Sequence, residues 1–418
     1  MSRATLSDAD AAHLLRRVGF EAAPAERARW IGLERAEAIE RALAVADSGD
    51  GATSEHARLL EGARFLEDQP SIERLQAWWL ARCRAASPAW SERLSLFWHG
   101  HFATSDAKVQ DPRKMLHQHR RFLAHGAGRF PPLLEAMLED PALLVWLDAP
   151  ENTKERPNEN LARELFELFA LGRGAYEERD VREAARALSG LRVKREVGEV
   201  RWNEHDRGAK RILGEEAPFT PRALVSLATR HSACARFLAR KLRATFVVPA
   251  TDDAALEAAA ERFRSLELDV RRFLLGELAR EEFWSAANRR ALWKSPVEYV
   301  IGAVRQLELK SLKPLQLAEH CAAMGQALFL PPNVGGWPGG ASWVTGAAMA
   351  ARARFSSSAA DELEARGDRP RALDEMLERL ALFGVEPASR AALHAALENG
   401  RSRDVWFALL VHPLYQRC

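Results

Sequence analysis

The chain has 418 residues, of which 47% are hydrophobic and 28% charged, a balance typical of globular and not of disordered proteins. Its 60 Lys and Arg residues nearly cancel its 58 Asp and Glu residues, and the formal net charge of +2 gives no reason to expect a nucleic acid or an anionic membrane as partner. No segment approaches the ~20 apolar residues that a membrane-spanning helix requires.

Helix signals dominate the first 190 residues. Ser7 and Asp10 predict a capping box at the start of the first helix. Ser87–Pro88 predicts the start of a later helix that carries a histidine motif. Two further helices are expected to end just before Gly172 and Gly190.

One segment breaks the helical pattern. Residues 191–202 alternate valine with charged residues around Gly198, which predicts a short β-hairpin with one exposed face. Helices resume at Thr220, and the prolines and glycines of residues 329–343 exclude regular structure there. We therefore expect a mainly α, multi-helix globular fold with one small β-hairpin insertion.

A run of small residues, Ser356–Ser358, predicts a break before a terminal group of helices. This pattern indicates a main helical domain over residues 1–355 and a C-terminal helical subdomain over residues 356–418. The first twenty residues include acidic side chains and no apolar core, and they indicate a helix instead of a signal peptide. The four cysteines are widely spaced, with no C-x-x-C pair, so we expect buried free thiols in a cytoplasmic protein.

The segment "LFWHGHFATSD" contains a pair of histidines that are metal-ligand candidates. On a continuous helix His99 and His101 point about 200° apart, but Gly100 weakens the helix and would let both imidazoles converge if the backbone opened there. An H-x-H pair in extended backbone can chelate a divalent metal. Buried core or interface histidines are the alternative.

The segment "NENLARELFELFALG", residues 158–172, predicts a helix with an apolar face opposite a polar one. The polar face carries Glu159, Arg163, Glu164 and Glu167. Glu159 and Glu164 are candidate catalytic carboxylates, and Arg163 is a candidate for binding an anionic substrate group. A solvated helix face with ion pairs is the alternative.

Two loops add further candidates. His205 and Asp206 follow the predicted hairpin directly, where the pair would serve as metal ligand and base, or where the aspartate would only form a turn. Lys210 in the same loop is a second candidate for substrate binding. Trp337 lies between Gly336 and Pro338 and would either stack on a ligand or cover the core.

Seven segments occur in a distinctive order: "HLLRRVGF", "ERLSLFWHGHFATS", "NENLARELFELFALGRGAYEERDVREAARALSG", "HDRGAKRILG", "CARFLARKL", "KSPVEYVIGAVRQL" and "LFLPPNVGGWPGGASW". Together they resemble the bacterial family known as domain of unknown function 1800, from His13 to about Phe355, and the ending "LLVHPLYQRC" resembles that of the family. The resemblance implies no agreed activity. It implies a gene neighbour similar to the alkaline-phosphatase superfamily and, for many members, export, which the N-terminus of this chain does not indicate.

In the family the histidine motif usually reads H-N-H, and here Gly100 replaces the asparagine. Two hypotheses follow. In the first, the chain is a metal-assisted or acid–base hydrolase-like enzyme, with His99, His101 and His205 around a divalent ion. In the second, it is a non-catalytic helical scaffold or maturation partner of an alkaline-phosphatase-like protein, and the same residues form a buried polar network. Convergence of these side chains in one pocket, partly closed by the Trp337 loop, would favour the enzyme.

Overall fold

The computed structural model describes residues 4–44, 59, 63–194, 196–249 and 251–418. Helices dominate this part of the chain, which confirms the predicted mainly α fold. The helices before the first strand are α1 (Asp8–Val18), α2 (Pro24–Ala28), α3 (Arg35–Ala42), α4 (Ala63–Asp68), α5 (Ile72–Ala85), α6 (Trp90–His101), α7 (Asp106–Val109), α8 (Pro112–His125), α9 (Phe130–Leu138), α10 (Pro141–Trp146), α11 (Asn160–Glu164) and α12 (Glu178–Ala187).

A π-helical segment, Leu165–Ala170, continues α11 without a break, and a short 3-10 helix covers Ala149–Glu151. The helices after the last strand are α13 (Pro221–Arg230), α14 (Ser232–Phe246), α15 (Asp253–Ser265), α16 (Val270–Leu278), α17 (Glu281–Trp284), α18 (Pro296–Gln306), α19 (Pro314–Ala323), α20 (Gly346–Ala365), α21 (Leu373–Arg379), α22 (Pro387–Glu398) and α23 (Ser402–Val411). Further 3-10 helices cover Ala286–Asn288 and Gly340–Val344. None of the described helices is both long and apolar enough to cross a membrane.

The capping box of Ser7 and Asp10 is confirmed, whereas α6 begins at Trp90 and not directly after Ser87–Pro88. Ala89, which has no capping side chain, stands at its N-cap.

The described strands form two antiparallel hairpins instead of the one predicted. β1 (Leu191–Lys194) pairs with β2 (Val197–Val200), so Gly198 lies within a strand and not at the turn. A Cβ atom at Gly198 would lie 2.7 Å from the carbonyl oxygen of Glu139, and glycine lets this strand rest on the end of α9. The second hairpin joins β3 (Lys210–Ile212) to β4 (Glu215–Ala217) in a segment that the sequence predicts as a loop. Its turn contains Gly214 at a positive φ of 84°, a sequence signal for such a turn.

The buried apolar side chains form two clusters that meet at α6. The first joins α1 and α3 to the central helices, and Trp90, Leu94 and Trp98 of α6 belong to it. The second contains α5, α18, α19 and the helices of the C-terminal region, and Leu96 of α6 belongs to it. Both clusters therefore depend on a helix that is buried on all sides.

The predicted break at Ser356–Ser358 is wrong. Helix α20 runs through these residues without interruption, and Ser356 is buried with its hydroxyl bonded to the carbonyl oxygen of Arg352. A serine inside a helix can satisfy its hydroxyl this way and need not end the helix. A C-terminal subdomain over residues 356–418 stays a prediction.

Charged side chains also cross the interior. The carboxylate of Glu21 pairs with Arg16 of α1 at 2.8 Å and with Lys294, just before α18, at 2.8 Å. Burial alone would raise the pKa of Glu21, but the two cations outweigh it and lower the pKa to about 2. Arg93 of α6 pairs with Glu298 of α18 at 2.7 Å. These ion pairs tie the N-terminal helix, α6 and α18 together.

Replacing Glu21 tests this contribution to stability. We expect Glu21→Gln to lower the free energy of unfolding by about 3 kcal/mol or more, because it leaves two buried cations without their counter-charge. Chemical denaturation at pH 7 measures the effect. Glu281→Gln is the matched control: Glu281 pairs with Arg35 but is 80% exposed, and its loss should cost less than about 1 kcal/mol. Equal effects of the two substitutions would contradict the structural role of Glu21.

Candidate functional site

Helix α6 carries both histidines of the H-G-H motif. It runs unbroken to His101, so the backbone does not open at Gly100 and the condition for the two imidazoles to converge is not met. His99 and His101 are two residues apart, and on a regular helix side chains at this spacing point in nearly opposite directions. Each then contacts a different part of the chain.

His99 binds the loop that follows α19. The backbone N–H of Phe329 donates to Nε2 of His99 at 2.9 Å, so the proton of the neutral ring lies on Nδ1. The ring of Trp337 packs 5.2 Å from that of His99, edge to face. A Cβ atom at Gly336 would lie 2.6 Å from the carbonyl oxygen of Gly100, so glycine lets the loop backbone rest directly on α6. His99 is thus a structural anchor for the Trp337 loop.

His101 binds the π segment on the other side of α6. Its Nε2–H donates to the carbonyl oxygen of Phe169 at 3.0 Å, near the end of that segment, where helix carbonyls lack a partner within the helix. Burial, with the charge of Lys241 nearby, holds the pKa of His101 well below its usual value. The imidazole is therefore neutral and positions the π segment.

A third buried imidazole, that of His119 on α8, lies beside His99. Trp79 contacts both rings, at 5.4 Å from His99 and 4.4 Å from His119. Nε2 of His119 lies 3.8 Å from Glu92, which is held by Arg82 and by the indole N–H of Trp79. Burial lowers the pKa of His119 to about 3, as it does that of His99. His119 stands in no motif that marks it in the sequence.

The predicted polar helix face lies on α11 and the π segment. Arg163 donates two hydrogen bonds to Glu178, at 2.8 and 2.9 Å, and one to Glu159 at 3.0 Å. Glu167 accepts from Arg173 at 2.6 Å. These side chains thus have ion-pair partners. Arg163 and Glu159 are about a third exposed, so the face is partly solvated, as in the alternative of an ion-paired helix surface.

Glu164 differs from its neighbours. Its side chain is partly buried and makes no hydrogen bond or ion pair with any described residue. Burial, followed by the charge of Glu167, raises the pKa of Glu164. The π geometry begins at the next residue, and the amide of Leu171 closes it by bonding to the carbonyl oxygen of Phe166 at 2.8 Å. Single π turns within helices are frequent at functional sites.

A cavity of about 540 Å³ lies against this segment, and we call it the π groove. One wall is the π segment with the loop that follows it, and the other is one face of α14. Its apolar lining includes Leu168, Leu171 and Phe237, and its charged lining consists of Glu167, Arg173, Arg236 and Arg240. Sequence reasoning missed the α14 wall, although Arg236, Phe237 and Arg240 share one helix face at spacings of three and four residues.

The loop after the first hairpin is held by contacts with the end of α12 and by contacts of its own. Nδ1–H of His205 donates to the carbonyl oxygen of Ser189 at 3.0 Å. Asp206 pairs with Arg186 at 2.7 Å, and its other carboxylate oxygen accepts the N–H of Gly208, the turn-forming role. The buried Nζ of Lys210 donates to the carbonyl oxygens of Asp206 and Gly208. These groups stabilise the loop and leave Lys210 inaccessible to a substrate.

The candidate metal ligands therefore have separate partners: Phe329 for His99, Phe169 for His101 and Ser189 for His205. Across the described ranges, no group of three or more His, Cys, Asp or Glu side chains is arranged to hold a metal ion.

Comparison with known proteins assigns the chain to a family. The family described as "Protein of unknown function (DUF1800)" matches residues 13–417. The chain belongs to this family. No curated protein and no solved structure matches the chain.

In this DUF1800 chain, three of the segments that carry the family resemblance bind side chains of α6. His99 binds the loop segment, His101 binds the π segment, and Arg93 binds Glu298 of the α18 segment. Polar side chains of these motifs thus bind residues of other motifs.

The buried histidines predict a steep loss of stability in acid. His13 has a pKa of about 2, His99 and His119 of about 3, and His101 lies well below its usual value. Below pH 6.5 the unfolded chain binds protons on these rings and the folded chain does not. Each ring should therefore lower the free energy of unfolding by about 1.4 kcal/mol for every unit by which the pH falls below 6.5.

Buried Asp140, with a pKa raised to about 6, opposes one of these contributions below pH 6. Chemical denaturation between pH 7 and 5 should show stability falling throughout, and His119→Phe should reduce the slope by the share of one ring. His394→Gln, which replaces an exposed histidine, is the control. A stability that stays constant from pH 7 to 5 would contradict the burial of neutral imidazoles.

Proposed function

We propose that this protein binds a small molecule in the π groove and that Glu164 transfers a proton there without a metal ion. The observation that carries the proposal is Glu164: a partly buried carboxyl group without a hydrogen-bond or ion-pair partner among the described residues, directly before the π segment that lines a cavity of about 540 Å³. Pockets of this size are typical of small-molecule sites.

The chemistry follows from the environment of the carboxyl group. A solvated glutamate has an ordinary pKa and one in an ion pair a lowered pKa, whereas burial and the neighbouring Glu167 raise the pKa of Glu164. A carboxyl group whose pKa moves toward the working pH can both accept and release a proton, which is the requirement for general acid–base catalysis. The proposal therefore takes the acid–base form of a hydrolase-like reaction.

The other predicted residues support the site from a distance. Glu159 and Arg163 bind each other, and Arg163 also binds Glu178. These contacts hold the start of α11 and engage the side chains that were candidates for catalysis and substrate binding. His101 fixes the end of the π segment through Phe169. Asp206 ties its loop to Arg186 of α12, and Lys210 binds carbonyl oxygens of the same loop. A metal-assisted reaction finds less support, because the three candidate histidines have separate partners.

A second function, a non-catalytic scaffold or maturation partner, is favoured by a different observation. Polar groups of several motifs are used in packing, as in the bond from Phe329 to His99 and the pair between Arg93 and Glu298. In this reading the partner would be the alkaline-phosphatase-like protein that the family resemblance implies, and Glu164 would be an ordinary structural residue.

The state of Glu164 distinguishes the two functions. In a carbon-detected NMR titration, assigned by comparison with Glu164→Gln, we expect its carboxyl resonance to titrate above the ordinary value of 4.5. A raised folded-state pKa means that ionisation opposes folding at pH 7, so Glu164→Gln should leave stability equal or greater. Glu178→Gln, which removes a partner of Arg163, should not raise it. Titration at or below 4.5, together with a loss of stability in Glu164→Gln, would favour the scaffold.

A further inference from the structure

We infer that the π groove accepts an organic anion, a carboxylate or phosphate monoester on an apolar body, with Arg240 binding the anionic group. The inference rests on the proposed function in that it uses the same groove as ligand site. It adds the class of ligand and a binding residue that the family resemblance does not supply.

The charges around the groove are unevenly paired. Arg173 is neutralised by Glu167 at 2.6 Å, and Arg236 by Asp253 at 2.7 Å. Arg240 lines the same wall, is exposed, and makes no hydrogen bond or ion pair with any described residue. A guanidinium group binds carboxylate or phosphate through two parallel N–H donors, and this one is free to do so.

A second cation lies behind the groove wall. Nζ of Lys241 stands 5.2 Å from the centre of the Phe237 ring, which forms part of the lining. Lys241 is partly buried and has no carboxylate partner among the described residues. Burial lowers its pKa to about 8, and a bound anion would favour its charged form. The field in the groove is thus positive beyond what its own carboxylates neutralise.

Part of the lining of the groove is apolar. Leu168 and Leu171 come from the π segment and its end, and the ring of Phe237 faces them from α14. A Cβ atom at Gly172 would lie 2.9 Å from the Phe237 ring, and the backbone there has a φ of +78°, so glycine permits this close contact. Leucine and phenylalanine side chains favour an aliphatic or aromatic ligand body. An inorganic anion alone would leave these apolar side chains without a contact.

The experiment measures the binding of three naphthalene compounds to the full chain by fluorescence and calorimetry. They are 1-naphthyl phosphate, the carboxylate 1-naphthaleneacetate and 1-naphthylmethylamine. We expect at least one of the anions to bind about tenfold more tightly than the amine, since the compounds share an apolar body and differ in charge. The stronger of the two anions identifies the head group as phosphate or carboxylate.

Variants locate the site. Arg240→Gln should weaken binding of the anion about tenfold and leave the fold intact, because its side chain is exposed. Arg401→Gln, which replaces an exposed arginine at the start of α23, is the matched control and should bind as the wild type does. Equal binding of amine and anions, no binding of any compound at millimolar concentration, or unchanged affinity in Arg240→Gln would each overturn the inference.

These outcomes are separate from those for Glu164. A raised pKa of Glu164 without anion binding leaves the proposed proton transfer in place and removes the anionic ligand. Anion binding that depends on Arg240, with an ordinary pKa at Glu164, leaves a binding protein without the proposed acid–base group.

Discussion

A hydrogen-bonding or charged group inside a protein needs a partner, and this constraint is most severe around α6. The helix is buried on all sides yet carries Glu92, Arg93, His99 and His101. Each side chain meets a different neighbour: Arg82 and Trp79 for Glu92, Glu298 for Arg93, Phe329 for His99 and Phe169 for His101. The placing of α5, α18, the Trp337 loop and the π segment follows from these contacts.

The same constraint separates structure from function. Where polar side chains have partners in the interior, as with His99 and Arg93, they explain the fold and leave little capacity for chemistry. Two residues have no such partner among the described residues: Arg240, which lines the π groove, and Glu164, which directly precedes the π segment. An unpaired guanidinium group in the lining of the π groove and an unpaired carboxyl group on the helix that leads into its π wall suit a ligand better than they suit packing.

The sequence predicts the helical class, the Ser7 capping box and the hairpin from residue 191, because these depend on local spacing. It fails at Ser356, where a serine satisfies its hydroxyl inside a helix, and at residues 210–217, where short strands give too weak an alternation. The metal hypothesis rested on residue type, whereas the partners of His101 and His205 are backbone carbonyls that no side-chain motif records. Arg240 escaped attention because it joins the site only when α14 packs against the π segment.

The protonation of the histidine motif tests this account most directly. Long-range ¹H–¹⁵N NMR of the protein labelled at histidine should show His99 protonated on Nδ1 and His101 on Nε2. Both rings should stay neutral from pH 8 to 5 and keep their ¹⁵N shifts when one equivalent of Zn²⁺ is added. Protonation of either ring near pH 6.5, or a shift of its ring nitrogens with zinc, would contradict the conclusion that these imidazoles hold the fold together instead of forming a metal site.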